Sequence, residues 1–250
     1  MPSPVVFVTG AGRGVGRAIA LRFASDGFAV AVTGRSHERL TDTAGAIERI
    51  GSDAFALTCD VALRDQVDRA VALTEQRLGP IDVLVNNAGI AGSAPFVAMD
   101  DELWERTLAV NLTGTYNCMR AIAPGMFERG YGRIINIAST AGRVGFPYTA
   151  AYVASKHGVL GLTRAVAMEA QGRGVTVNAI CPGWIDTEMT ARAVDRIAER
   201  TGRTQADARL TLERMNPQQR LITPEEVAAV AAYLASADAG GINGQDLDVP

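Results

Sequence analysis

Short apolar runs alternate with longer amphipathic segments along most of the chain. The apolar runs predict strands at about 5–9, 28–33, 54–59, 82–86, 133–138, 175–180 and 245–249. Segments with helical periodicity lie between them, at about 13–25, 38–50, 64–78, 101–129, 149–171 and from 224 onward. Such alternation favours βαβ units, and continuous apolar runs are typical of parallel strands buried on both faces. The pattern therefore predicts an α/β fold around a parallel sheet.

One segment, at about 186–221, departs from this alternation because it is polar, poor in strands and helical in pattern. It carries seven arginines and six acidic residues. This segment is either a solvated helical insertion or a mobile lid over a substrate site. A proline-rich, glycine-rich or serine-rich linker is absent from the sequence, so we expect a single domain over residues 1–250.

Composition narrows the classes of partner. The chain has 250 residues, 48% of them hydrophobic, and a formal net charge of −3. Without a basic excess, we expect no nucleic-acid partner. No apolar stretch approaches the roughly 20 residues of a membrane helix, and the N-terminus lacks a signal-peptide pattern. These observations predict a cytoplasmic protein that does not bind membranes.

Cysteines and histidines are few. The three cysteines are far apart, which argues against a disulfide framework and fits a reducing cytosol. His37 and His157 are the only histidines, and the sequence contains no CxxC pair. We therefore expect no structural or catalytic metal site.

A glycine-rich stretch follows the first predicted strand. Residues 9–16 read Thr-Gly-Ala-Gly-Arg-Gly-Val-Gly and lead into the first helix. Glycines permit a tight turn and let the main chain approach a pyrophosphate, and the helix N-terminus favours an anion. A strict GxGxxG is absent, but the strand–turn–helix context predicts a dinucleotide-phosphate site. Its candidate residues are Gly10, Arg13, Gly14 and Val15.

The residue type at the end of the second predicted strand indicates whether the cofactor is NAD or NADP. An acidic residue there would bind the ribose 2′-hydroxyl of NAD, but no Asp or Glu occurs between Asp26 and Glu38. Arg35 stands there instead, and its planar guanidinium suits a 2′-phosphate. Arg13 adds a second positive charge. Either could instead be an ordinary surface arginine, but the pair favours NADP.

Tyr152 and Lys156 form the candidate catalytic pair. At positions i and i+4 they project from one face of a helix. A free tyrosine has a pKa of about 10, and a nearby ammonium favours the phenolate and lowers that pKa. Lys156 is the only lysine among 24 basic residues. This pairing predicts a tyrosine that exchanges protons near neutral pH.

Ser139 and Tyr148 complete the catalytic candidates. Ser139 lies at the carboxyl end of the fifth predicted strand, where open α/β sheets bind ligands. It is therefore placed to donate a hydrogen bond to a substrate carbonyl. Tyr148 is a rival proton donor, but it has no lysine four residues later.

At these residues the chain resembles the short-chain dehydrogenase/reductase superfamily, and the resemblance covers nearly all of its length. The motifs that carry it are TGxxxGxG at 9–16, Cys59-Asp60-Val61, Asn86-Asn87-Ala88-Gly89, Asn111, Ser139, Tyr152xxxLys156 and Pro182-Gly183. The resemblance implies a three-layer, Rossmann-like, doubly wound fold. Its parallel sheet would have seven strands in the order 3-2-1-4-5-6-7, flanked by helices.

The resemblance also implies roles for individual residues. Asp60 would bond the adenine amino group and Val61 would flank the ring. Lys156 would bond the nicotinamide ribose, and Asn111 would hold a water that links Lys156 to solvent. The cofactor would also be lined by Asn87, Ala88, Gly89, Pro182, Gly183, Ile185 and Thr187.

The implied activity is an NADP-dependent transfer of hydride between cofactor and a ketone or secondary alcohol, with Asn111, Ser139, Tyr152 and Lys156 as catalytic residues. The chain resembles bacterial 3-oxoacyl reductases and aromatic polyketide ketoreductases in particular, so the substrate could be an acyl thioester or a cyclic ketone. Candidate pocket residues, which could equally be plain packing, are Arg143, Phe146, Tyr148, Trp184 and Met189.

Assembly and rival functions follow from the same resemblance. A homotetramer, or a dimer, is implied, with the segments 101–129 and 149–171 at its interface, although the chain stops at Pro250 where relatives continue.

One alternative function is that of an NADP-linked alcohol dehydrogenase that works mainly in the oxidative direction. Another is a non-enzymatic NADP sensor, and such proteins tend to lose the tyrosine or the lysine. A sugar-nucleotide epimerase would need a larger C-terminal substrate domain.

Overall fold

The structure is a computed structural model that describes residues 3–250. Its core is one parallel sheet of seven strands in the order β3-β2-β1-β4-β5-β6-β7. The strands are β1 (Val5–Thr9), β2 (Ala29–Gly34), β3 (Ala54–Thr58), β4 (Ile81–Asn86), β5 (Gly132–Ile137), β6 (Val175–Pro182) and β7 (Asp246–Val249). The predicted fold class and strand order are confirmed.

Nine α-helices lie within residues 3–250. They are α1 (Gly14–Ser25), α2 (His37–Ile50), α3 (Arg64–Leu78), α4 (Asp101–Leu108), α5 (Gly114–Arg129), α6 (Ala150–Glu169), α7 (Glu188–Thr201), α8 (Gln205–Glu213) and α9 (Pro224–Ala235). Within that range, no helix is both long and apolar enough to cross a membrane.

The helices form a layer on each face of the sheet because successive strand residues point to opposite faces. In β1, Val6 and Val8 pack into a buried cluster with α1, α2 and α9. Val5 and Phe7 pack into a second cluster with α3, α5 and α6. Both clusters are apolar, which explains why the central strands read as continuous apolar runs.

The predicted helix over 101–129 is helical along its whole length, but it is not uniform. A five-residue π-helical turn, Ala109–Thr113, joins α4 to α5, and the buried Asn111 lies at its centre. Such π-turns place an extra residue in the helix and frequently mark functional sites. The apolar periodicity of the segment does not reveal this one inserted turn.

Residues 186–221 contain α7 and α8, as the helical pattern predicted. The two helices share a small core of their own, built from Ala193, Val194, Ala208, Leu212 and Leu221. Ion pairs from Arg209 to Asp186 and Glu213 cross the segment on its outer side. The segment is therefore a packed helical pair, and its role as a lid remains a prediction.

Candidate active site

A cavity of about 530 Å³ lies beyond the carboxyl ends of the central strands, where open parallel sheets bind ligands. It is lined by every residue assigned to cofactor binding from the sequence, namely Gly10, Arg13, Gly14, Val15, Arg35, Asp60, Val61, Asn87, Ala88, Gly89, Tyr152, Lys156, Pro182, Gly183, Ile185 and Thr187. Ser139 lines it too. Asn111, the fourth catalytic candidate, is not among the lining residues and is 1% exposed.

Glycines in the loop between β1 and α1 stand where a larger residue would be strained or would clash. Gly10 and Gly14 have φ values of +65° and +51°, a region that strains residues with a Cβ. A Cβ on Gly16 would lie 2.3 Å from the carbonyl oxygen of Gly10. At these glycines the loop presents bare main chain to the cavity, and the N-terminus of α1 follows directly. This cradle fits a pyrophosphate.

A hydrogen-bond network fixes the loop to β4. The main-chain N–H groups of Asn87 and Ala88 donate to the Thr9 hydroxyl at 2.9 and 3.0 Å. The Asn87 side chain donates to the carbonyl oxygens of Thr9 and Gly10 at 2.9 and 3.2 Å. Asn87 and Ala88 thus hold the loop in shape while they line the cavity. The anchoring role of Thr9 was missed from the sequence because its partners lie far along the chain.

Three arginines surround the end of the cavity near β2. Arg13 and Arg35 were predicted there, and the structure adds Arg39, which occupies the first turn of α2 behind the capping residue Ser36. Arg39 was missed from the sequence, although an arginine one turn after an N-cap can point back toward the preceding strand. Guanidinium groups in such a cluster suit a phosphate dianion.

Asp60 and Val61, beyond β3, lie at the same end of the cavity. The Asp60 carboxylate accepts a 3.0 Å hydrogen bond from the main-chain N–H of Ala62, which orients it. Val61 packs against α5, where a Cβ on Gly114 would lie 2.5 Å from a Val61 methyl group. Both residues are positioned by neighbours, and their contacts to an adenine stay a prediction.

Ser139, Tyr152 and Lys156 meet at the other end. The Lys156 ammonium lies 5.8 Å from the centre of the Tyr152 ring and donates a 2.7 Å hydrogen bond to the carbonyl oxygen of Ile137. The Ser139 and Tyr152 side chains both line this end of the cavity, and the Ser139 hydroxyl acts to lower the pKa of Tyr152. Ser139 also accepts a hydrogen bond of 3.1 Å from the N–H of Ala141, which fixes its hydroxyl. The arrangement can polarise a carbonyl and deliver a proton to it.

The electrostatics of this group differ from the expectation. Burial raises the pKa of Tyr152, while the Ser139 hydroxyl acts in the opposite direction. Burial also lowers the pKa of Lys156 to about 8. The sequence predicted a lowered pKa for Tyr152, and this prediction is wrong when only the groups of the protein itself are counted. Desolvation of the phenolate raises the pKa by more than the neighbouring groups lower it.

Asn111 braces the site from behind. Its side-chain oxygen accepts a hydrogen bond from the Ile90 N–H at 2.9 Å. Its side-chain nitrogen donates to the Ile90 carbonyl and to the Ser155 hydroxyl, both at 3.0 Å. The Asn111 main-chain carbonyl accepts from Thr115 at 2.8 Å. Both amide N–H groups of Asn111 are therefore used within the protein, and the water expected between Asn111 and Lys156 stays a prediction.

The end of β6 and the segment after it place four predicted residues in the cavity wall, namely Pro182, Gly183, Ile185 and Thr187. A Cβ on Gly183 would lie 2.3 Å from the side-chain oxygen of Asn216. That buried asparagine, missed from the sequence, bonds both the N–H and the carbonyl of Trp184, at 2.9 and 2.8 Å. It thereby ties the cofactor-side loop to the end of the α7–α8 segment.

Only part of the predicted substrate-pocket set lies in the cavity wall, and its contact with a substrate stays a prediction. Phe146, Trp184 and Met189 line the cavity, but Arg143 and Tyr148 do not. Arg143 turns toward β7, where it forms ion pairs with Asp246 and Asp248. Tyr148 is 63% exposed. Arg143 therefore has two carboxylate partners that the sequence separation concealed.

Comparison with known proteins places this architecture in a family. The family described as short chain dehydrogenase matches residues 4–198. The chain belongs to the short chain dehydrogenase family. It is therefore an oxidoreductase, and the resemblance seen in its sequence motifs is confirmed.

Several members of the short chain dehydrogenase family are similar to this chain over nearly their full length. A Streptomyces coelicolor protein that bears the name of a ketoacyl reductase is 40% identical, over 99% of this chain and 95% of the relative. The 3-oxoacyl-[acyl-carrier-protein] reductase FabG of Staphylococcus aureus is 39% identical, over 97% and 94%. A crystal structure of a variant of actinorhodin polyketide ketoreductase with NADPH matches with a TM-score of 0.96 at 40% identity, over 100% and 97%.

Proposed function

We propose that this short chain dehydrogenase is an NADPH-dependent ketoreductase that reduces a 3-oxoacyl or polyketide-type ketone to the secondary alcohol. The observation that carries the proposal is a single cavity with a glycine cradle, three arginines at one end and Ser139, Tyr152 and Lys156 at the other. The names of the similar reductases support the same substrate class.

NADPH, when bound, supplies the hydride that reduces the carbonyl carbon. In this proposal the hydroxyls of Ser139 and Tyr152 both donate hydrogen bonds to the substrate oxygen and polarise the carbonyl. Tyr152 then transfers its proton to the developing alkoxide. Lys156, held by the carbonyl of Ile137, stabilises the phenolate that Tyr152 leaves behind.

The choice of NADPH over NADH rests on the arginines. Arg35 forms no ion pair with any residue from 3 to 250. Its guanidinium can therefore bind a phosphate without first breaking an ion pair with a carboxylate. Arg13 and Arg39 lie beside it in the cavity wall. A bidentate guanidinium–phosphate contact is among the strong hydrogen bonds of proteins.

The substrate end is apolar and aromatic. Phe146, Trp184 and Met189 line it beside Ser139 and Tyr152, which suits the carbon skeleton of a long or cyclic ketone. Met189 belongs to α7, so the α7–α8 segment is proposed to act as a lid over this substrate. An acyl thioester would enter with its carbonyl toward Ser139 and its chain along the aromatic wall.

The deciding experiment follows consumption of NADPH with a panel of β-ketoacyl thioesters, bicyclic ketones and aryl ketones. We expect reduction of at least one class and a clear preference for NADPH over NADH. Absence of turnover across the panel, together with fast oxidation of secondary alcohols by NADP, would favour the oxidative dehydrogenase. Binding of NADPH without turnover in either direction would indicate a sensor and overturn the proposal.

Assembly is a second part of the proposal. The resemblance implies a tetramer whose interface is formed by α4, α5 and α6, and large side chains on these helices are exposed, among them Trp104, Tyr116 and Met168. A mass of four chains in light scattering is the expected result.

We propose that the enzyme works in the cytoplasm, where the three buried free cysteines remain reduced.

A further inference from the structure

Glu188 links the cofactor arginines to the α7–α8 segment. It is the first residue of α7, and it lines the cavity. Arg39 donates to both of its carboxylate oxygens, at 3.2 and 3.3 Å. Arg13 binds the same carboxylate, and Arg192 lies 3.7 Å from it. The Glu188 carboxylate therefore forms ion pairs with three guanidinium groups, which come from three different parts of the chain.

The position of Glu188 places these ion pairs over the phosphate end of the cavity. The preceding residue, Thr187, packs on the glycine loop, where a Cβ on Gly14 would lie 3.4 Å from a Thr187 methyl group. Arg13 belongs to that loop and Arg39 to the start of α2. The ion pairs thus bridge the first residue of α7 to both elements that surround the proposed phosphate site.

The carboxylate stays ionised at neutral pH. Its hydrogen bonds with Arg39 and then Arg13 lower the pKa of Glu188 below the ordinary value for glutamate. A carboxylate and a phosphate are both anions, and they use the same face of a guanidinium group. Two anions on the same pair of arginines also repel each other.

We propose that Glu188 competes with the 2′-phosphate of the cofactor for Arg13 and Arg39, and so weakens NADPH binding and speeds its release. The inference rests on the proposed function, which places the 2′-phosphate among these arginines. When the phosphate binds, Glu188 gives up its partners and the start of α7 is released from the glycine loop. NADH lacks the 2′-phosphate and leaves these ion pairs in place.

The competition predicts an effect that is specific to NADPH. Glu188→Gln removes the charge and keeps the size of the side chain, so the dissociation constant for NADPH should fall about fivefold. The constant for NADH should change by less than about twofold, since no phosphate displaces the ion pairs. Nucleotide fluorescence titrations give both constants, and stopped-flow displacement gives the release rate of NADPH, which should slow by a similar factor.

Two further variants complete the design. Glu188→Ala removes the hydrogen bonds that a glutamine could still form and should tighten NADPH binding at least as much. Glu199→Gln is the matched control, because Glu199 is an exposed acid on the same helix outside the cavity. It should leave both dissociation constants unchanged.

The possible results separate the inference from the function on which it rests. Weaker or unchanged NADPH binding in both Glu188 variants overturns the competition, and weaker binding would mean that Glu188 orients the arginines for the phosphate. If the Glu188 variants bind NADH and NADPH more tightly by the same factor, the competition is overturned too, because the effect would not involve the 2′-phosphate. Failure of the unmodified protein to bind NADPH overturns the proposed function as well.

Discussion

The ammonium of Lys156 donates a 2.7 Å hydrogen bond to the main-chain carbonyl of Ile137, the last residue of β5. This contact joins the catalytic face of α6 to the strand that leads into Ser139. It holds a charged group that is 5% exposed beside the Tyr152 ring. The position of the lysine is therefore set by the sheet as well as by the helix.

The burial of Lys156 predicts a pH-dependent stability. Its pKa is lowered to about 8 from 10.5 by burial, so the unfolded chain binds a proton that the native state lacks between those values. The contribution of Lys156 to the free energy of unfolding should then rise with pH in that window, by at most about 1.4 kcal/mol per pH unit. Below pH 8, Lys156 is protonated in both states and its contribution is constant. Urea unfolding at several pH values measures the slope.

Lys156→Met is the control for this slope, because methionine fills similar space without titrating. We expect the unfolding free energy of the parent, measured relative to that of the variant, to rise above pH 8. Parallel curves for the two proteins would contradict the burial argument.

Removal of the Tyr152 hydroxyl should separate catalysis from binding. Tyr152→Phe deletes the proposed proton donor and leaves the ring in place. The turnover number with the best ketone should fall about 100-fold to 10,000-fold, the usual range for loss of a general acid. Nucleotide titration should find NADPH affinity within about twofold of the parent. Tyr148→Phe is the matched control, since Tyr148 lies outside the cavity wall and should be dispensable.

Arg35 should decide the preference between the two nicotinamide cofactors. Charge-assisted hydrogen bonds contribute roughly 1.5–3 kcal/mol each, so Arg35→Ala should raise the KM for NADPH about tenfold or more and change the KM for NADH little. Steady-state kinetics with both cofactors check the ratio. Arg49→Ala on the distant end of α2 serves as the control. Equal increases for both cofactors would show that Arg35 does not bind the phosphate.

Much of the fold was accessible from the sequence because its signals are local. A strand of continuous apolar residues such as Val5–Thr9 needs no knowledge of its partners to be recognised as buried. The glycine loop and the Tyr152–Lys156 pair are local motifs as well, and each lines the cavity where the sequence placed it.

The features that the sequence did not reveal depend on distant partners. Arg143 is drawn to Asp246 and Asp248, more than 100 residues away, and so leaves the substrate pocket. The sign of the Tyr152 pKa shift depends on how completely the fold excludes water, which spacing does not encode. The same holds for Glu188, whose arginines lie 149 and 175 residues earlier.

The last prediction concerns Ser155, whose side chain touches neither cofactor nor substrate in the proposed function. Its hydroxyl donates to the Tyr152 carbonyl at 2.7 Å and accepts from the Asn111 side chain at 3.0 Å. Ser155→Ala leaves a buried N–H of Asn111 without a partner, at a cost of roughly 1–3 kcal/mol in unfolding free energy. Because the π-turn and α6 then lose this hydrogen bond, the turnover number should fall while the KM values for ketone and NADPH stay nearly constant.

Ser155→Thr keeps the hydroxyl and is the conservative comparison. If Ser155 positions Asn111, the threonine variant should recover turnover relative to alanine wherever its extra methyl group fits. The pH profile of turnover should shift in the alanine variant, since Asn111 lies beside the Lys156 ammonium across Gly89. If the alanine variant loses stability but keeps both its turnover number and its pH profile, Ser155 contributes only to packing and does not position Asn111.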